Sequence, residues 1–303
     1  MRKDEAGVSP AFQFFRAKTM IVPVVQRWKN GRDRYRPAGE VIDTSKYEIT
    51  EMVHDRECKE FVCRNHYSRS YPAARFRYGL YRSGELVGAA VFSHPCNDKV
   101  LSVFETDPLE STELGRFVLD DSVEANGESW FLARCFEDLR KKGIKGVVSF
   151  SDPMSRTTMC GEGEGGQQVI FGGHIGVIYQ AHNGIYLGRG TARTLKLLPD
   201  GTVFSDRAIS KIRNRERGWR YAASILVRYG ADVLAENDDS REWLDCWLPV
   251  LTRNSRHKGN HKYVWALDRK VRKHLPESQA YPKVLDGLTY QGLKMRQEKL
   301  IWM

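Results

Sequence analysis

From Tyr47 onward, apolar and polar positions follow two alternating periods. Tyr47-Glu48-Ile49-Thr50-Glu51-Met52-Val53 repeats every second residue and predicts a strand. Between His54 and His66, the positions of Cys58, Phe61 and Val62 fit a helix. Residues 75–80 and 86–92 read as paired strands joined by Arg82-Ser83-Gly84-Glu85. A short strand is expected at 100–104 and a firmer one at 113–119. Asn126-Gly127-Glu128-Ser129 then starts a helix with Trp130, Phe131, Ala133, Phe136 and Leu139 on its apolar face, ending at Gly143. Residues 147–151 are a buried type of strand, and the Gly-rich stretch 159–173 is a loop. Residues 176–181 open a further element, and 185–187 is a strand. Pro199-Asp200-Gly201 turns between strands at 194–198 and 202–205. Ser205 or Asp206 caps a basic helix running to Arg217.

Strands and helices interleaved in this order predict an α+β fold, a central mixed or antiparallel sheet flanked by helices. Residues 1–45 lack sustained periodicity and read as a basic arm. Residues 46–198 hold the patterned domain, and 199–303 a basic C-terminal extension. No internal repeat is visible.

The chain has 303 residues, enough to bury a core without disulfides, and carries a net charge of +10 at a pI near 9.3. That charge favours a polyanionic partner, nucleic acid above all. Its distribution sharpens the point. Lys211, Arg213, Arg215, Arg217 and Arg220 lie in one run with Trp219 and Tyr221. Arg256, Lys258 and Lys262 form a second cluster, and residues 27–36 a third. Cations neutralise phosphates and interleaved aromatics stack on bases. Six scattered cysteines form no CxxC pair, which points to a reducing, cytoplasmic setting and to no structural zinc. No apolar run approaches the length of a membrane span, and the N-terminus lacks a signal-peptide core.

Four segments carry candidate chemistry. The junction at Asn126, Gly127 and Ser129, with Arg116 upstream, has the makings of an anion site at a helix start, or of an ordinary cap. Asp152, held between a strand and Pro153, can serve as a base or accept a hydrogen bond from an amine. His66, Tyr67 and Ser68 cluster after the first helix. Tyr179 can donate a proton to a leaving group, or simply pack. His66, His174 and Asp152 lack the spacing of a metal motif, so a metal is left undecided.

Taken together, His66-Tyr67-Ser68, Gly84-Glu85-Leu86-Val87-Gly88, Glu113-Leu114-Gly115-Arg116-Phe117, Asn126-Gly127-Glu128-Ser129, Ser151-Asp152-Pro153 and Gly176-Val177-Ile178-Tyr179-Gln180-Ala181 resemble the Mom-type DNA-modification proteins of Mu-like phages. These are similar in fold to GNAT acyltransferases. The resemblance spans about residues 47–195. It implies double-stranded DNA as the partner and transfer of a carbamoylmethyl group to N6 of adenine in it, which protects the DNA from restriction. It also implies that Arg116, Asn126, Gly127 and Ser129 hold an acyl-CoA-type donor such as acetyl-CoA. Tyr67, Asp152 and Tyr179, with His66 and Ser68, would then surround the reacting amine. The family's Ser in Glu-Leu-x-Arg is Gly115 here, the 160–173 insert is long, and the GNAT phosphate loop is absent. Three other readings stay open: a GNAT-like transferase acting on a pyrimidine, RNA or protein amine; an adenine methyltransferase; and a DNA-binding protein without activity.

Overall fold

The computed structural model describes residues 24–158, 169–283 and 285–286. The first 23 residues of the expected arm and residues 159–168 of the Gly-rich stretch lie outside them. In chain order the elements are β1 (Val24–Lys29), β2 (Arg32–Pro37), β3 (Tyr47–Glu51), α1 (Asp55–Asn65), β4 (Ala74–Arg82), β5 (Glu85–Ser93), β6 (Ser111–Leu119), α2 (Gly127–Lys141) and β7 (Gly146–Ser151). There follow β8 (Arg156–Thr157), β9 (Val169–Phe171), α3 (Val177–Ala181), β10 (Ile185–Arg189), β11 (Arg193–Leu197), β12 (Val203–Phe204), α4 (Asp206–Arg213), α5 (Trp219–Val227), α6 (Ser240–Leu251), β13 (Arg253–His257), β14 (His261–Ala266) and α7 (Arg269–His274).

Among the described residues, seven strands form a mixed sheet in the order β10-β14-β7-β6-β5-β4-β3. The expected sheet flanked by helices is therefore present. Alternation along β5 sends Ala89 and Val91 to one face and Ala90 and Phe92 to the other. The first face takes Cys58, Phe61 and Val62 of α1, and the second takes Phe131, Leu132, Cys135 and Leu139 of α2. Each buried Phe, Leu or Val among them contributes about 1.5–3 kcal/mol by leaving water.

One pairing breaks the antiparallel pattern and positions the site. β6 and β7 run parallel and pair only from Ser111↔Gly146 to Glu113↔Val148. Beyond that, β6 stays bonded to β5 and β7 to β14, so the two strands part as a wedge.

Several expectations change. Residues 98–104 form a 3-10 helix rather than a strand. Its buried residues, Leu101 and Phe104, are three apart, and Asn97 caps it by accepting the Lys99 N–H. Residues 24–37 form an antiparallel hairpin, which gives that part of the arm regular structure. The stretch after 198 supplies β14, an inner strand of the main sheet. What stands beside that sheet is the segment between β10 and β14. There β12-β11-β13 and α4 to α6 enclose a second core around Phe204, Ile212, Leu226 and Leu244. α4 does start at Ser205, whose hydroxyl accepts the Ala208 N–H. It stops at Arg213 instead of Arg217, because Arg215 adopts φ +51, outside the helical region.

Candidate active site

The end of α1 delivers His66 and Tyr67 to the open side of the wedge. His66 Nδ1 accepts the Ser68 N–H at 3.2 Å and contacts Ser68 Oγ at 2.9 Å. Its ring is therefore a neutral imidazole, and burial lowers its basicity far below the usual histidine range. Tyr67 stacks on Phe171 at 4.1 Å and 18°, with the His66 ring 4.3 Å away. Phe171 in turn lies 4.4 Å beneath the Arg156 guanidinium. With its ring so engaged, Tyr67 offers its hydroxyl to the site rather than a free stacking face. That hydroxyl stands 3.5 Å from His174 Nε2. Burial holds the Tyr67 phenol protonated and lowers His174 to about 4, so both are neutral near pH 7.

Asp152 follows β7 and is buried. Its Oδ1 accepts from His257 Nε2 at 2.9 Å and from the Met154 N–H at 3.0 Å, and its Oδ2 from Arg156 at 2.6 Å. The Gly259 N–H donates to His257 Nδ1, which places the His257 proton on Nε2, toward Asp152. Burial opposes the charge on Asp152. The His257 hydrogen bond and the Arg156 guanidinium outweigh it, holding the carboxyl well below the usual carboxylate range. So acidic a group is a poor general base, which removes one of the two roles expected of it. Oδ2 still has a free lone pair for an amine N–H.

Tyr67, Arg116, Asp152, Arg156 and Phe171 share a cleft of about 550 Å³, within the range of small-molecule sites. Tyr179 does not line it. Tyr179 is packed against Tyr263 and Trp265 and lines a cavity of about 30 Å³ in the wedge, together with Tyr67, His66 and His174. Tyr67 thus borders both spaces, while Asp152 and Tyr179 are separated. Gly115 also lines the smaller cavity. A Cβ there would fall 2.7 Å from Ser93 Oγ and 3.3 Å from Pro72, so a serine at this position requires the Ser93 hydroxyl to turn away.

The four residues expected to hold the donor do not assemble. Arg116 donates to the Ser70 carbonyl at 2.9 Å and to Ser70 Oγ at 2.7 Å, and it faces the large cleft. Asn126, Gly127 and Ser129 sit at the start of α2, which the chain itself covers. Glu40 accepts the Ala125 N–H, and its carbonyl accepts from Asn126 Nδ2. Arg27 of β1 is buried there against Glu128 at 2.6 Å and donates to the carbonyls of Asp120, Val123 and Glu124. Gly127 packs on Val123, and Ser129 Oγ donates to the Asn126 carbonyl. A helix start crowded by Glu40, Glu124 and Glu128 does not fit the pyrophosphate of an acyl-CoA.

The C-terminal cations are divided. Arg215 donates to the carbonyls of Ala235 and Asp238 and stacks on Trp219 at 4.0 Å. Arg220 pairs with Glu236, and Lys262 Nζ donates to the Val100 carbonyl. Lys211, Arg213, Arg217, Arg256 and Lys258 stay on the surface or partly exposed, and none lines the cleft. Sequence reasoning missed Arg156, Phe171 and His257. Phe171 and His257 lie in segments whose pattern is too short or too polar to single out.

The stretch 47–162 matches the Mom protein family. This segment carries β3 to β8, including Tyr67, Arg116 and Asp152. No curated protein sequence matches the chain. Solved structures to which it is similar include a GNAT family N-acetyltransferase (YhbS) from Escherichia coli in complex with CoA, at 12% identity and TM-score 0.28, covering 39% of this chain and 68% of that one. A tandem GNAT protein from the clavulanic acid biosynthesis pathway is 8% identical at TM-score 0.37, covering 73% and 99%. An N-acetyltransferase from Staphylococcus aureus Mu50 is 10% identical at TM-score 0.30, with the same coverage. At these scores the likenesses carry no argument about chemistry. Among the described residues, no helix is long and apolar enough to cross a membrane, and no cluster of three or more His, Cys, Asp or Glu could hold a metal.

Proposed function

We propose that this protein modifies DNA, transferring a carbamoylmethyl group in the Mom manner, or a related acyl-type group, to the N6 amine of adenine. The observation that carries the reading is the shared cleft. Tyr67, Arg116 and Asp152, all within the Mom-matched stretch, open onto one space large enough for a purine. Adenine in a duplex is out of reach, so the base is extruded into the cleft, at a cost of a few kcal/mol. Asp152 Oδ2 accepts an N6–H and orients the amine without taking its proton. As N6 bonds to the donor's carbon and the bond to the leaving group breaks, the protonated Tyr67 hydroxyl gives its proton to the leaving group and is restored by the proton that N6 loses. The donor is a small molecule, and its site is not the start of α2.

Nucleoside mass spectrometry of DNA from cells expressing the chain tests this. Wild type is expected to yield a modified deoxyadenosine, and Asp152→Asn and Tyr67→Phe none. Unaltered deoxyadenosine from the wild type overturns the proposal. A mass shift on another nucleoside keeps the transferase and changes the acceptor.

A further inference from the structure

The large cleft is lined, among the described residues, by five arginines against Asp152 and Asp200. Three of the five are committed. Arg156 is bound to Asp152, Arg116 to Ser70 and Arg69 to the Asn30 carbonyl. Arg32 and Arg193 are exposed and have no hydrogen-bond or ion-pair partner among the described residues. Both are nonetheless aimed by rigid elements. Arg32 opens β2, and the adjacent Gly31 N–H is fixed to the Asn65 carbonyl, one residue before His66. Arg193 pairs with His257 across β11 and β13, so it shares the sheet face from which His257 reaches Asp152. The same register pairs Thr194 with Arg256 and turns Arg256 to the other face.

We propose that Arg32 and Arg193 bind backbone phosphates of the DNA strand whose base enters the cleft. This rests on the DNA reading above, singles out Arg32 within the basic cluster at residues 27–36, and adds Arg193, which no basic run of the sequence pointed to; both lie outside the Mom-matched stretch. A guanidinium with five N–H donors, no protein acceptor and a fixed base suits a phosphate oxygen pair. A DNA strand presents such a group at every nucleotide, so two arginines on separate elements can each take one. A donor's phosphates are the other source of the same chemistry.

Fluorescence anisotropy with a fluorescent duplex, repeated over a series of NaCl concentrations, tests the assignment. Removing a cation that neutralises one phosphate lowers the slope of log K against log salt by about 0.9. Arg32→Ala and Arg193→Ala are each expected to lower the slope by about one and the double variant by about two, in every sequence context. Arg32→Lys and Arg193→Lys keep the slope, and so does Arg56→Ala on α1. Wild-type binding with unchanged slopes in both alanine variants overturns the assignment and leaves the DNA reading standing. Loss of acetyl-CoA binding with an intact DNA slope also overturns it, moving the arginines to the donor. A wild type that binds no duplex overturns both.

Discussion

Asp152→Asn is the sharpest perturbation, because the two oxygens of this carboxylate do different work. His257 and the Met154 N–H both donate to Oδ1, whereas Arg156 donates to Oδ2. An amide whose oxygen replaces Oδ1 keeps the first two bonds. Its NH2 group then faces the Arg156 guanidinium, donor against donor, and leaves that cation buried without a counter-charge. The Arg156 side chain is only 8% exposed. Stranding one member of a buried pair costs about 3–5 kcal/mol. Adding Arg156→Met removes the stranded charge, so the double variant should recover at least about 2 kcal/mol of the loss, a coupling well above additivity error. Urea unfolding of the wild type, both single variants and the double gives the cycle. The stability-restored double variant should remain inactive on DNA, since the carboxylate that holds the amine is still missing. An Asp152→Asn cost below about 1 kcal/mol, or no relief from Arg156→Met, refutes the reasoning, because the pair would then be effectively solvated.

Two further outcomes follow from the same geometry. His174 is lowered to about 4 by burial, against about 6.5 when unfolded, so between these values the unfolded chain binds the extra proton. Stability should therefore fall as pH drops from about 6.5 to 4, by up to about 3 kcal/mol from His174, with His261 and His66 acting in the same direction. Urea midpoints at several pH values read this, and a flat profile counts against it. Ser129→Ala should leave the yield of modified nucleoside within about two-fold and stability within about 0.5 kcal/mol, because Ser129 only donates to the Asn126 carbonyl. A large loss of activity would reinstate the start of α2 as a donor site.

The sheet was legible where alternation with period two marked a strand, as in β3, or where a short apolar run stood between turn signals, as in β5 and β7. It was not legible at β14, although Tyr263, Val264 and Trp265 form a strong apolar run. His261 and Lys262 precede them in a cationic stretch, and the charge drew that stretch toward a surface role. The Arg/Lys runs do not by themselves say which cations are free, for a general reason. A guanidinium satisfies backbone carbonyls as readily as phosphates, and Arg215 does so at Ala235 and Asp238. Tyr67 and Asp152, which line one cleft, could be singled out because each sits at the end of an element whose boundary the sequence marks. Tyr179 lies beside the smaller cavity instead, and the sequence could not show this because a phenol buried among Tyr263 and Trp265 leaves no local trace that tells packing from catalysis. The cover over α2 was invisible, since it depends on Arg27 and Glu128, 101 residues apart.

The Mom-matched stretch is not a folding unit by itself, and this can be tested directly. A fragment of residues 47–162 keeps β3 to β7 but loses β14, leaving β7 as an open edge and Val147 and Val148 uncovered. It also loses Tyr179, Tyr186, Tyr263 and Trp265 from the core that α2 closes, and Val264 from the cluster beside Val148. At about 1.5–3 kcal/mol for each side chain, those five account for roughly 10 kcal/mol, as much as the whole stability of an ordinary domain. It lacks Phe171, His174 and His257 as well, so Tyr67 loses its stack and Asp152 one of its anchors. The fragment should be unfolded or aggregated, with collapsed dispersion in its amide NMR spectrum, while the full chain is folded. A fragment with native dispersion and a cooperative melt would show that the later strands merely decorate the sheet, and would detach the site described here from the fold that supports it.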